Sequence, residues 1–91
     1  MNELEFIKNH STPYKDKKNI KWEIKWDSNS SIFVFFLYVW EKEGIKMYRE
    51  LIPNEILKPA LGNTERINDI VEICINKLGK LNGKDFKEYQ E

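Results

Sequence analysis

His10 is the only histidine and Cys74 the only cysteine in this 91-residue chain, so ordinary acid–base and thiol chemistry rest on two side chains. A general base needs a positioned partner and a pocket. His10 stands in a polar N-terminal stretch with no Ser or Cys motif around it, and reads as a solvated side chain. Cys74 falls on the apolar stripe of a predicted helix, where a thiol behaves as a small hydrophobe. A reactive thiolate needs an electropositive, partly open setting instead. One cysteine also excludes an internal disulfide and every multi-cysteine metal site. The carboxylates Glu41, Glu43, Glu50, Glu55 and Glu65 lack the spacing of a metal-binding loop. Gly44, Gly62, Gly79 and Gly83 fall at element ends and form no phosphate-cradling cluster. The expectation is a protein that is not an enzyme, with no catalytic residue, no cofactor and no metal.

The types that remain are those of recognition. Phe36, Tyr38 and Trp40 alternate along one segment, and Lys21, Lys25 and Arg49 lie on the segments that flank it. Aromatic rings rimmed by cations anchor protein interfaces. The favoured expectation makes Phe36, Tyr38 and Trp40 the anchors and Lys21, Lys25 and Arg49 the rim. The alternative is a nucleic-acid-binding regulator, stacking bases on the same rings and tracking phosphates with Lys21, Lys25, Lys42 and Lys46. Fifteen lysines and arginines balance fifteen acidic residues, so no global field draws the chain to polyanions. Glu23, Glu41 and Glu43 dilute the lysines further, which weakens a phosphate track.

The elements that must hold these side chains follow from periodicity. Residues 20–27 alternate without error, Ile20, Trp22, Ile24 and Trp26 against Lys21, Glu23, Lys25 and Asp27, as a half-buried strand does. Asp27-Ser28-Asn29-Ser30 is turn chemistry. The nine consecutive apolar residues Ile32 to Trp40 come next. They are too few to cross a bilayer, which takes about 20 as a helix, and their β-branched and aromatic content favours a strand. A turn at Glu43-Gly44 leads to a third strand that Pro53 ends.

A helix over 64–80 follows, with Ile67, Ile70, Val71, Cys74, Leu78 and Leu81 as its apolar stripe. Residues 3–9 suit a short helix anchored by Leu4, Phe6 and Ile7, and Ser11 to Asn19 reads as a loop. Pro53 to Pro59 suits a turn or one helical turn, and Asp85 to Tyr89 another, held by Phe86 and Tyr89.

The expected fold is a single α+β domain: a three-stranded antiparallel sheet (about 20–27, 31–41 and 45–52) on one long C-terminal helix (about 64–80), with a possible short N-terminal helix. A four-residue first turn sets Trp26 opposite Ser31, Ile24 opposite Phe33 and Trp22 opposite Phe35. Double-stranded RNA-binding domains share the element order but have a lysine-rich turn into the last helix. That turn here is Asn63-Thr64-Glu65-Arg66, and the order is generic to small α+β domains.

Successive strand side chains point to opposite faces, so the middle strand is apolar on both. The helix covers the tryptophan face. The other face presents Ile32, Val34, Phe36, Tyr38 and Trp40, with Ile45, Met47 and Leu51 nearby. Left bare, such a patch approaches ~400–600 Å², as large as any on a typical monomer. Removing ~400 Å² from water is worth on the order of 10 kcal/mol gross. Either the termini fold over it, through Leu4, Phe6, Ile7 and Tyr14 or through Phe86 and Tyr89, or a partner covers it.

The partner expected is another protein or a second copy. Lys21, Lys25, Lys46 and Arg49 on the outer strands are the kind of charges that discourage pairing at the sheet edges. Glu3 and Glu5 at the N-terminus, with no apolar signal segment, suggest a cytoplasmic protein with no membrane partner. Lys, Asn, Ile and Glu dominate and Ala60 is the only alanine. AT-rich codons encode that set, which suggests a low-GC bacterium or phage. A small binder in that setting, acting by occlusion of a partner surface, suits an inhibitor, an immunity protein or an anti-defence factor.

Overall fold

The alternation of Ile20–Asp27 and the apolar run after it fold as adjacent antiparallel strands in the computed structural model, which describes residues 2–89. In chain order the elements are α1 (Glu3–His10), β1 (Thr12–Pro13), β2 (Ile20–Asp27), β3 (Ile32–Glu41), β4 (Gly44–Ile52), α2 (Asn54–Leu57), a 3-10 turn (Lys58–Ala60) and α3 (Thr64–Asn82). The fold is α+β, and the sheet has four strands in the order β1-β2-β3-β4, not three. The added strand is two residues long, with Thr12 opposite Trp22 and Pro13 opposite Lys21. A pair that short leaves no periodicity to read. Pro13 is tolerated because an edge strand can spare a backbone donor, and the Tyr14 amide closes the pairing onto the Ile20 carbonyl at 3.0 Å.

The β2–β3 register differs from the expected one by two residues: Trp26 lies opposite Phe33, Ile24 opposite Phe35 and Trp22 opposite Leu37. The loop is Ser28 to Ser31, one position later than the turn chemistry suggested. Asp27 caps it by accepting from the Asn29 and Ser30 amides, and Ser31 turns the corner with φ +52°. A two-residue shift preserves faces, so Ile20, Trp22, Ile24, Phe33, Phe35, Leu37 and Val39 still share one side.

That side is the core. Phe35, Leu37, Val39, Ile20 and Ile52 meet Ile70, Val71, Cys74, Ile75 and Leu78 of α3, closed at one end by Leu57 and Ala60. Asn63 caps α3 by accepting from the Arg66 amide at 3.1 Å, and Gly83 ends it in the left-handed conformation. The apolar stripe corrects in two places: Ile75 is fully buried and Leu81 is 69% exposed. Ile75 lies one turn beyond Val71 on the same side of the helix, whereas Leu81 keeps the phase of Ile70 and Cys74 but stands in the last turn of α3, next to its end at Asn82. Trp26 is 48% exposed. β1 pairs only with the first half of β2, so nothing flanks Trp26 on its outer side; it keeps an edge-to-face contact with Phe33 at 4.8 Å.

Tyr14 and Phe86 both belong to the helix-side core. Neither crosses to the other face, as one of the expected coverings required. The tail makes no helical turn at 85–89, yet Phe86 is 1% exposed. It meets Tyr48 edge-on at 5.3 Å, and the Tyr89 hydroxyl donates to Glu41 at 2.6 Å. That bond, with Lys84 and Lys46 nearby, holds the Glu41 carboxyl below its usual range.

Gly79 makes this return possible. It lies inside α3, where glycine ordinarily weakens a helix by about 1 kcal/mol relative to alanine. Here a Cβ would sit 2.5 Å from the Lys84 carbonyl oxygen, backbone against backbone, while the Lys84 amide bonds the Gly79 carbonyl at 2.8 Å. Gly79→Ala should therefore destabilise by about 1–3 kcal/mol, the overpacking range, instead of gaining helix propensity. Urea midpoints of the two proteins read the sign directly.

Candidate functional site

The face of β3 away from α3 carries Ile32, Val34, Phe36, Tyr38 and Trp40, and the sheet register sets a row of side chains beside each. Val34 lies between Lys25 and Leu51, Phe36 between Glu23 and Arg49, and Tyr38 between Lys21 and Met47. Among the described residues no second sheet or long helix covers this side. Its apolar middle row is instead screened by long side chains from β2 and β4, whose aliphatic stems lie along apolar surface while their heads stay wet. Val34 and Tyr38 are thereby buried, and Ile32, Phe36 and Trp40 are half-buried.

The six residues singled out from the sequence separate into two groups. Tyr38 is only 3% exposed. Its hydroxyl donates to the Glu23 carboxylate, and burial followed by that bond pushes the phenol well above its usual value, with the Glu3 carboxylate adding to the effect. Lys21 donates to the Lys8 carbonyl of α1. These contacts place α1 across the Tyr38 end of the face, although no residue of α1 is itself fully buried. Tyr38 and Lys21 are thus structural here. Trp40 is half-buried behind Tyr38, ring centroids 6.2 Å apart, and its amide bonds the Asn19 carbonyl at 2.8 Å.

Lys25, Phe36 and Arg49 gather at the other end, around an open groove of about 660 Å³ whose lining also includes Asp27, Val34 and Leu51. The Lys25 ammonium stands 3.2 Å from Glu23 and 5.7 Å from the Phe36 ring centroid, a cation–π contact. Arg49 enters no ion pair among the described residues. The groove therefore combines an apolar floor of Val34, Phe36 and Leu51 with one guanidinium free to bind. Val34, Leu51 and Asp27 were absent from the sequence-derived set. The sequence had already placed Val34 on this face with Leu51 nearby, and the β3–β4 register sets the two side by side.

His10 and Cys74 lie elsewhere. His10 is exposed, stacked on Phe6 at 4.1 Å, with Nδ1 2.9 Å from the Phe6 carbonyl oxygen. Cys74 is buried against the sheet, and desolvation pushes its thiol up to about 11. Among the described residues no cluster of three or more His, Cys, Asp or Glu side chains is placed to hold a metal ion, and no helix is long and apolar enough to cross a membrane. Comparison with protein-family models, with curated proteins and with solved structures finds no match.

The buried Tyr38–Glu23 bond gives a pH signature. A phenol raised in the folded state stabilises fully below its unfolded value of about 10, and that contribution is lost as pH climbs toward the folded value. Tyr38→Phe should cost about 1.5–3 kcal/mol at neutral pH, the range for a hydrogen bond to a charged group. It should also flatten the loss of stability above about pH 10, so the urea midpoints of the two proteins converge in alkali.

Proposed function

We propose that this chain is a non-catalytic binding protein that engages another protein through the groove bounded by Lys25, Phe36, Arg49 and Leu51. The observation that carries the proposal is the Arg49 guanidinium, in no ion pair among the described residues, beside an apolar floor in which Phe36 is half-buried and Leu51 exposed. The matching partner element is an apolar side chain flanked by a carboxylate. Phe36 and Leu51 would receive the apolar group, and Arg49 would take the carboxylate in the bidentate geometry its planar fork favours. Binding would act by occlusion, the mode expected of an inhibitor, an immunity protein or an anti-defence factor.

Two features of the face disfavour base stacking. Tyr38 is withdrawn from the surface, and Lys21 and Lys25 are engaged with Lys8 and Glu23. The test is retention of a partner from an extract of the cells that make this protein. A protein held by the wild type should bind Phe36→Ser and Arg49→Glu at least tenfold more weakly, about 1.4 kcal/mol, while both variants keep cooperative thermal unfolding. Equal retention by both variants contradicts the groove. Tight binding of an oligonucleotide at low salt, where phosphate contacts are strongest, replaces the protein partner with a nucleic acid.

A further inference from the structure

β4 is a nine-residue strand at the edge of the sheet. The Trp40 amide bonds the Asn19 carbonyl, so Trp40 turns its backbone groups toward β2, and the alternate residues Val39, Leu37 and Phe35 turn theirs toward β4. Their partners Lys46, Tyr48 and Glu50 are thereby engaged inward. Ile45, Met47, Arg49 and Leu51 direct their amide and carbonyl groups outward. Among the described residues no backbone bond outside the sheet's own ladders reaches those groups. An unpaired edge of this length is a template for another strand.

Apolar side chains stand on both sides of that edge. Met47 and Leu51 are 55% and 59% exposed on the open face. On the helix side a groove of about 250 Å³ runs between the end of β4 and α3, lined in part by Pro53, Ile56 and Ile73, and Ile73 is 66% exposed. The edge is therefore flanked by oily surface above and below the plane of the sheet.

The edge is also complementary to itself. Directly opposed residues of an antiparallel pair share a face, so a two-fold axis joining two β4 strands must pass through a residue. Through Arg49 it would stack guanidinium on guanidinium. Through Met47 it would set Ile45 against Arg49 and leave Lys46 and Glu50 apart. Through Tyr48 every pair is compatible: Lys46 faces Glu50, Ile45 faces Leu51 and Met47 faces the stem of Arg49, each twice by symmetry.

All four outward-facing residues then exchange bonds with the second copy. Lys46 and Glu50 fall at non-bonded positions, where Cα atoms lie about 4.5 Å apart and side chains approach most closely. Lys46 already contacts Glu41 at 3.4 Å, and Glu50 contacts Lys77 at 2.6 Å. Pairing would join these into a four-charge row across the seam. We propose that two copies of this chain associate through antiparallel pairing of their β4 edges about an axis at Tyr48, making one continuous sheet. The proposal is argued from the strand edge and not from the groove on the open face, although Arg49 and Leu51 belong to both.

Light scattering and sedimentation of the whole chain from about 1 to 100 µM, the range set by a modest interface, test it. The wild type should be a dimer. Lys46→Glu and Glu50→Lys each place like charges opposite one another and should each weaken association at least tenfold. Mixed in equal amounts, the two variants should associate again, because the mixed pair opposes unlike charges at both positions. Met47→Pro removes an outward amide while sparing the β3 ladder and should be monomeric. A wild type that stays monomeric at the upper concentration overturns the proposal. So does a mixture that associates no better than its components, or a dimer that survives Met47→Pro.

Discussion

The structure depends on β3 being apolar on both faces. A central strand with Phe35, Leu37 and Val39 on one side and Val34, Phe36 and Tyr38 on the other needs two covers, and a chain of 91 residues provides one long helix. α3 takes the first face and, with Leu57, Ala60 and Phe86, buries Phe35, Leu37 and Val39 there. The second face is met by a different device: Lys21, Lys25, Met47 and Arg49 reach in from the flanking strands, and Glu23 and α1 close over Tyr38. Such a cover dries the middle of the row and leaves its end open, which is where the groove lies.

Much of this was legible in the sequence because it rests on period. The two-residue alternation of 20–27 and the continuous run after it fix which side chains share a face, and a register error of two residues leaves those faces unchanged. The α3 stripe was legible for the same reason, up to the last turn, where Leu81 keeps the phase of Cys74 yet is exposed. What the sequence did not disclose was set by tertiary contact. β1 is two residues long, Tyr38 looks the same in sequence whether buried or bare, and the burial of Phe86 depends on the absence of a Cβ at Gly79. Of the six residues singled out for binding, the alternation placed Phe36, Tyr38 and Trp40 on one face. Only the contacts of α1 and Glu23 distinguish Tyr38 and Lys21, which stabilise the fold, from Phe36 and Arg49, which remain available.

The two proposed associations share side chains. Arg49 and Leu51 line the groove and also face outward along the β4 edge, so occupancy of one surface bears on the other. Charges on an edge strand usually deter pairing. On β4 the same charges alternate in sign about Tyr48, so the pattern that repels a strand of arbitrary sequence matches a second copy. Deterrence of others and selection of self can thus come from one arrangement of lysine, arginine and glutamate.

Chemical accessibility of Phe36 tests the incomplete cover most directly. Cys74 is buried and its thiol is raised to about 11, so a Phe36→Cys variant carries one silent thiol and one reporter. At nanomolar concentration, where self-association cannot shield it, the reporter should react with a small maleimide in the native protein while Cys74 reacts only after unfolding. Protection of position 36 equal to that of Cys74 would mean that the chain seals both faces of β3 by itself, and would contradict the account.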